Sequence, residues 1–311
     1  MIIVWLLIGL GLLVGGAELL VRGASRLALA LRIPVIVVAL TVVAFGTSFP
    51  ELMVSVIAAM DASTDMALAN VNGSNIANIA LVLGTAALVR PLPVSRQLLR
   101  RDVPFCVGVQ LLLPLLLMDG VLSRLDGLLL LVLGVAYNLW LLRDAVAGRA
   151  KADTSDVARA GSTGWSVIAL FLGIGLLYAG AKSFVGGAVG LAAWAGLDER
   201  VIGLSVLALG TSAPEVATAT MASRRGESDM AVGNSIGSNI LNVVLVLGVT
   251  AMVFPIRFTP GAGVDLAVAA GLTLLLLPLA LSGLGIGRAL GGALVVFYLG
   301  YLASLPFVGV G

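Results

Sequence analysis

The chain has 311 residues, 60% of them hydrophobic and 11% charged, which leaves too little polar surface to cover a globule in water and excludes an ordinary soluble domain. It has no histidine and a single cysteine, Cys106, so the usual transition-metal ligand, the usual near-neutral proton shuttle, a disulfide framework and a thiolate cluster are all absent. The formal charge of +2 and pI near 9.0 trace to basic loops and require no nucleic-acid partner.

A hydrocarbon core of about 30 Å takes roughly 20 apolar residues per helix. Ten such runs follow in order, near residues 2 to 21, 35 to 60, 66 to 89, 103 to 119, 125 to 143, 165 to 185, 200 to 222, 230 to 252, 263 to 282 and 286 to 305. They are continuous stretches of Leu, Val, Ala and Gly, without the alternation of a β-barrel, so the chain reads as an all-α membrane protein with ten transmembrane helices. The first run has no basic residue before it and its sequence recurs later, so it reads as a permanent helix and not a cleaved leader. With the N-terminus outside, 14 of the 18 basic residues fall in cytoplasmic loops, among them Arg22, Arg90, Arg100, Arg101, Arg224 and Arg225. That bias places both termini on the extracytoplasmic side.

The second half repeats the first at an offset of 164. "GLLVGGAELLVRGA" (11 to 24) meets "GLLYAGAKSFVGGA" (175 to 188), and 19 of the 39 residues from 46 to 84 are identical to their counterparts from 210 to 248. The matches include Gly, Thr, Ser, Pro, Glu, Asp and Asn, so shared apolarity does not explain them. Five helices per unit is an odd number, so the second unit enters the membrane from the opposite side. The expected organisation is a first five-helix repeat (1–143), a cytoplasmic connecting loop (144–164) and a second, inverted five-helix repeat (165–311).

The strongest matches carry the chemistry. In "GTSFPE" (46 to 51), Pro50 has no N–H for the Gly46 carbonyl, so the helix kinks or unwinds and a carbonyl oxygen is freed. Thr47 and Glu51 share a helix face with Ser48 beside them, and in the next helix Ser74 and Asn78 share another. The second copy, "GTSAPE" (210 to 215), supplies Thr211, Ser212, Glu215, Ser238 and Asn242. This is an all-oxygen set with two carboxylates and no soft ligand, suited to Ca²⁺ or Na⁺ and less to Mg²⁺. A carboxylate at the centre of a membrane helix costs roughly 3 kcal/mol. No Lys or Arg lies at matching depth, so the transported cation is the expected counterion, with protonation as the fallback. Asp65 and Asp229 read as caps of the helices that follow them.

These paired motifs, with "NGSNIAN" and "GNSIGSNILN", resemble the two α-repeats of the sodium/calcium exchanger family, within the cation/calcium antiporter superfamily. The resemblance implies a prokaryotic-type exchanger of the cell (inner) membrane without a regulatory domain. It implies Glu51 and Glu215 as shared cation ligands, Thr47 and Thr211 beside them, and Ser48, Ser212, Ser74, Ser238 and Asn78 for sodium or water. The glycine-rich segments at 11 to 24 and 175 to 188 would then form the mobile gate. Several relatives carry an aspartate where this chain has Asn242, which bears on potassium dependence and on the charge of the central site. The expected function is antiport of Ca²⁺ against Na⁺ by alternating access, with no cofactor beyond the transported ions. The alternatives are a Ca²⁺/H⁺ exchanger using the same glutamates and a passive cation channel. An intramembrane hydrolase is disfavoured, since neither Ser48 nor Ser212 has a histidine anywhere in the chain to activate it.

Overall fold

The computed structural model describes residues 2–60, 64–149, 163–194, 210–258, 262–282 and 285–308. Most of the expected loop at 144–164 and the first half of the run expected at 200–222 lie outside the described residues. The helices are α1 (Ile2–Leu31), α2 (Val35–Thr47), α3 (Phe49–Met60), α4 (64–89), α5 (98–116), α6 (Arg124–Arg149), α7 (Thr163–Trp194), α8 (Ala213–Arg224), α9 (Ser228–Val253), α10 (Ala262–Ser282) and α11 (Arg288–Val308). Two short strands, β1 (Val121–Leu122) and β2 (Ile256–Arg257), pair antiparallel, and Leu92 bridges to Ile286. The all-helical reading therefore holds. Six described helices are long and apolar enough to cross a membrane, and a seventh span results if the bent pair α2–α3 is one.

α1 and α7 pack along their length, and glycine is the reason. A methyl group added at Gly9, Gly16 or Gly23 would lie 2.5–2.8 Å from backbone atoms of Phe184, Leu177 and Leu170 respectively. From the other helix, Gly173, Gly180 and Gly187 meet Leu20, Leu13 and Leu6 in the same way. Position rises by seven on one helix as it falls by seven on the other, so the pair is antiparallel with coiled-coil spacing. Small residues at that spacing bring the two backbones into direct contact, which favours association where lipid supplies no hydrophobic drive.

These contacts recur when 164 is added to one partner and subtracted from the other. Gly9 with Phe184 becomes Gly173 with Leu20, and Leu92 with Ile286 becomes Ile256 with Leu122. Gly84 against Gly291 becomes Gly248 against Gly127.

Two polar clusters lie towards the helix ends. Arg101, expected in a loop, is instead buried in α5, which starts earlier than the apolar run did. There it donates to Asp102 at 2.7 Å and to Asp144 at 2.5 Å, while the Tyr137 hydroxyl donates to Asp102 at 2.9 Å. Full pairing is what makes a buried guanidinium tolerable. In the second cluster, Arg225 donates to Glu18 at 2.7 Å and to Glu227 at 3.2 Å, Glu18 also pairs with Arg22, and the Ser25 hydroxyl donates to Glu227. The cluster ties α1 to the turn between α8 and α9. Asp229 is not the cap expected of it: Glu227 holds the capping position, without a side-chain capping bond, and Asp229 sits in the first turn of α9 facing Ser95.

Candidate cation site

The break between α2 and α3 bends the pair by 43° and falls at Ser48, whose φ and ψ of −85° and 3° interrupt the helix. Pro50 lies two residues later, in the first turn of α3, where a missing N–H costs nothing. The second copy matches: Ser212, at −84° and −1°, precedes α8, and Pro214 sits in its first turn. Each break puts a glutamate in the first turn of the helix that follows, Glu51 in α3 and Glu215 in α8. A helix N-terminus stabilises negative charge there, which offsets part of the cost of a carboxylate at this depth.

α4 and α9 carry a matched distortion. Each turns from α- to π-helix at its last asparagine, over Asn78–Val82 and over Asn242–Leu247. Such bulges change which side chains share a face and are frequent at functional sites. α9 is pressed against α2 because Gly237 leaves no room for a methyl group, which would sit 2.9 Å from the Leu40 backbone.

All ten side chains expected at the site are buried: Thr47, Ser48, Glu51, Ser74, Asn78, Thr211, Ser212, Glu215, Ser238 and Asn242. Several are brought into mutual contact. The Ser74 hydroxyl donates to Glu51 Oε1 at 3.5 Å. Thr47 Oγ1 lies 3.5 Å from Ser238 Oγ and 3.3 Å from Asn234 Oδ1, and it faces Glu215. Glu51 and Glu215 are near enough to repel one another when both are ionised. Asn78 and Asn242 lie one turn beyond Ser74 and Ser238, and Asn242 donates to Asn75 Oδ1 at 3.0 Å.

Seven oxygens of this set are buried without a hydrogen-bond partner among the described residues: Ser48 Oγ, Glu51 Oε2, Asn78 Oδ1, Ser212 Oγ, both oxygens of Glu215 and Asn242 Oδ1. Each such atom costs about 1–3 kcal/mol when left unpaired, more for a charged group, so together they rival the net stability of a domain. A hard cation taking six to eight oxygens removes that cost. Among the described residues no three of Asp, Glu, His or Cys come together, and the candidate set there consists of two carboxylates and neutral oxygens. A cavity of about 710 Å³ lies beside the break, against Phe45, Gly46, Phe49, Leu131 and Ile174, but its lining is apolar and includes neither glutamate.

Sequence reasoning overlooked Gln110. It stands alone in the apolar α5 segment "VPFCVGVQLLLPLL", yet it is buried and accepts a hydrogen bond from Asn75 at 2.9 Å. An isolated amide in a run of that kind is expensive in lipid, and that cost was the available signal.

Comparison with known proteins places this geometry. Residues 1–143 and 165–305 match the sodium/calcium exchanger protein family. The chain belongs to the sodium/calcium exchanger family. It is 40% identical over 264 residues to the inner membrane protein YrbG of Escherichia coli, covering 82% of this chain and 81% of that protein. It is 30% identical over 342 residues to the sodium/calcium exchanger MaX1 of Methanosarcina acetivorans, covering 97% and 98%. Its fold matches the sodium-calcium exchanger NCX_Mj in a crystal soaked with 10 mM Na⁺ and zero Ca²⁺, at a TM-score of 0.86 and 30% identity, over 98% of this chain and 100% of that one. Sodium/calcium exchangers are membrane antiporters and not enzymes, and their cations are cargo, not cofactors.

Proposed function

We propose that this protein exchanges Ca²⁺ for Na⁺ across the inner membrane of a prokaryote, with Glu51 and Glu215 as the charged ligands of a central site. The observation that carries this reading is the set of seven buried oxygens, unpartnered among the described residues, that includes those of two carboxylates at two matching helix breaks. Thr47, Thr211, Ser48, Ser212, Ser74, Ser238, Asn78 and Asn242 supply the neutral oxygens. Two carboxylates balance one Ca²⁺ or two Na⁺. Occupancy by either cargo therefore removes the net charge that opposes moving the site through a low-dielectric barrier, whereas the empty, doubly charged site resists the change. That difference couples the two fluxes without a direct contact between the ions.

The proposed architecture is ten transmembrane helices in two inverted five-helix repeats, residues 1–143 and 165–311, joined by a cytoplasmic segment at 144–164, with both termini extracytoplasmic. The exchange of contacts under the 164-residue offset supports a two-fold relation between the halves. Because α1 and α7 are related by it and run antiparallel, the axis lies in the membrane plane, as in many transporters that work by alternating access.

The test is uptake of radioactive Ca²⁺ into vesicles containing the purified protein. Uptake should rise steeply with an outwardly directed Na⁺ gradient and saturate with Ca²⁺. Uptake that follows a pH gradient and ignores Na⁺ would replace this reading with Ca²⁺/H⁺ exchange, and linear, uncoupled flux would replace it with a channel.

A further inference from the structure

Three buried side-chain amides form a chain that starts outside the ten candidate ligands and ends on one of them, and a fourth, Asn239, bonds the backbone of its middle member. Asn75 Nδ2 donates to Gln110 Oε1 at 2.9 Å, Asn242 Nδ2 donates to Asn75 Oδ1 at 3.0 Å, and Asn239 Nδ2 donates to the Asn75 backbone carbonyl at 3.3 Å. Gln110, Asn75, Asn239 and Asn242 are each no more than 1% exposed. The chain spans three helices: Gln110 on α5, Asn75 on α4, and the other two on α9.

An amide has a donor end and an acceptor end, so a chain of amides has a direction. In the direction observed, Gln110 takes the Asn75 N–H, Asn75 presents its oxygen to Asn242, and Asn242 spends its N–H₂ on that bond. Its own oxygen is thereby left buried and, among the described residues, unpartnered, one turn from Ser238. In the opposite direction Gln110, Asn75 and Asn242 each turn over, and Asn242 directs an N–H₂ to where its oxygen now stands. A donor there repels a cation that an acceptor would bind.

We propose that Gln110 is a positioning residue which, through Asn75, turns the oxygen of Asn242 towards the cation and so sets the affinity of the site. The proposal rests on the reading of Glu51 and Glu215 as cation ligands. It concerns one half of the site, because the residue 164 beyond Gln110 is Leu274, which is 39% exposed and cannot bond an amide. The asparagine at 242 differs in this respect from its twin at 78.

The test is equilibrium binding of Ca²⁺ to the purified full-length protein in detergent, paired with vesicle exchange. Gln110→Met keeps the side-chain length and loses the hydrogen bond. It should weaken Ca²⁺ binding by about fivefold to tenfold, the cost of one misdirected buried hydrogen bond, and raise the half-saturating Ca²⁺ for exchange more than it lowers the maximal rate. Gln110→Glu keeps an acceptor for Asn75 in either protonation state and should recover most of that loss. The decisive comparison is made in two backgrounds. With Asn242→Asp, where both side-chain oxygens are acceptors, or with Asn242→Ala, where there is no amide to orient, adding Gln110→Met should change affinity by less than about twofold. An equal loss in all three backgrounds would mean that Gln110 only packs α5, and would overturn the proposal. Glu51→Gln separates the two layers. If it binds Ca²⁺ as tightly as the unmodified protein, the site reading fails; if it loses binding while Gln110→Met acts alike in every background, the positioning role alone fails.

Discussion

The α1–α7 seam and the centre formed by α3, α4, α8 and α9 are both buried inside the membrane protein, and they solve opposite problems. In the seam, Gly9, Gly16, Gly23, Gly173, Gly180 and Gly187 let two backbones touch. At the centre, Glu51, Glu215, Ser48, Ser212, Asn78 and Asn242 leave seven oxygens waiting for a partner. The seam is determined by shape, so it is sensitive to one methyl group and indifferent to charge. The centre is determined by charge and oxygen supply, so it should fail when an acceptor is removed.

Charge removal at the centre should have the largest effect. Glu51→Gln or Glu215→Gln should lower Na⁺-driven Ca²⁺ uptake by about 100-fold or more, equivalent to about 2.7 kcal/mol, within the range for deleting one member of a buried charge contact. The melting temperature in detergent should hold or rise, because a repelling pair has been relieved. The seam should show the converse pattern. Gly16→Ala places a methyl group 2.8 Å from the Leu177 backbone nitrogen, whereas Gly15→Ala, one residue away, meets nothing within 4 Å among the described residues. The first should cost about 1–3 kcal/mol, read as a lower melting temperature with Ca²⁺ affinity retained, and the second should be near neutral. A smaller loss is expected at the centre from Thr47→Val, which removes the hydroxyl lying between Asn234 and Ser238. It should weaken cation affinity by about fivefold, the worth of one neutral oxygen at about 1 kcal/mol. The smallest effect belongs to neither region: Glu18→Gln, in a partly exposed ion-pair cluster, should change thermal stability by less than about 1 kcal/mol.

The helices and the ten candidate ligands could be read from the chain because both depend on local signals. Twenty-residue apolar runs have one physical solution in lipid, and a carboxylate beside a proline at that depth is conspicuous. What was not legible depends on geometry between segments. Pro50 announced a break, yet the backbone turns at Ser48, because proline fits the first turn of the following helix. Nothing in "NIALV" or "NVVLVL" marks a π-helical stretch. Asp229 has the residue type of a cap, but the chain enters α9 two residues earlier and leaves the capping position to Glu227. Arg101 was assigned to a loop by its charge, and only the fold reveals Asp102, Tyr137 and Asp144 around it. Gln110 is conspicuous as a lone amide in an apolar run, but its partner Asn75 is set by the fold.

The cluster that ties α1 to the turn between α8 and α9 has a kinetic consequence. Glu18 reaches Arg225 across 2.7 Å, and a shift of α1 by a single helical turn, about 5.4 Å, carries it out of range. Any rearrangement in which α1 slides past the centre must break this tie. Its members are between 24% and 34% exposed, apart from Arg22 at 53%, so the surrounding electrolyte screens them. The screening length falls from about 10 Å at 0.1 M salt to about 3 Å at 1 M. If transport moves α1 in this way, the ionic strength on that face of the membrane should change its rate even when the salt cation is too large to enter the site.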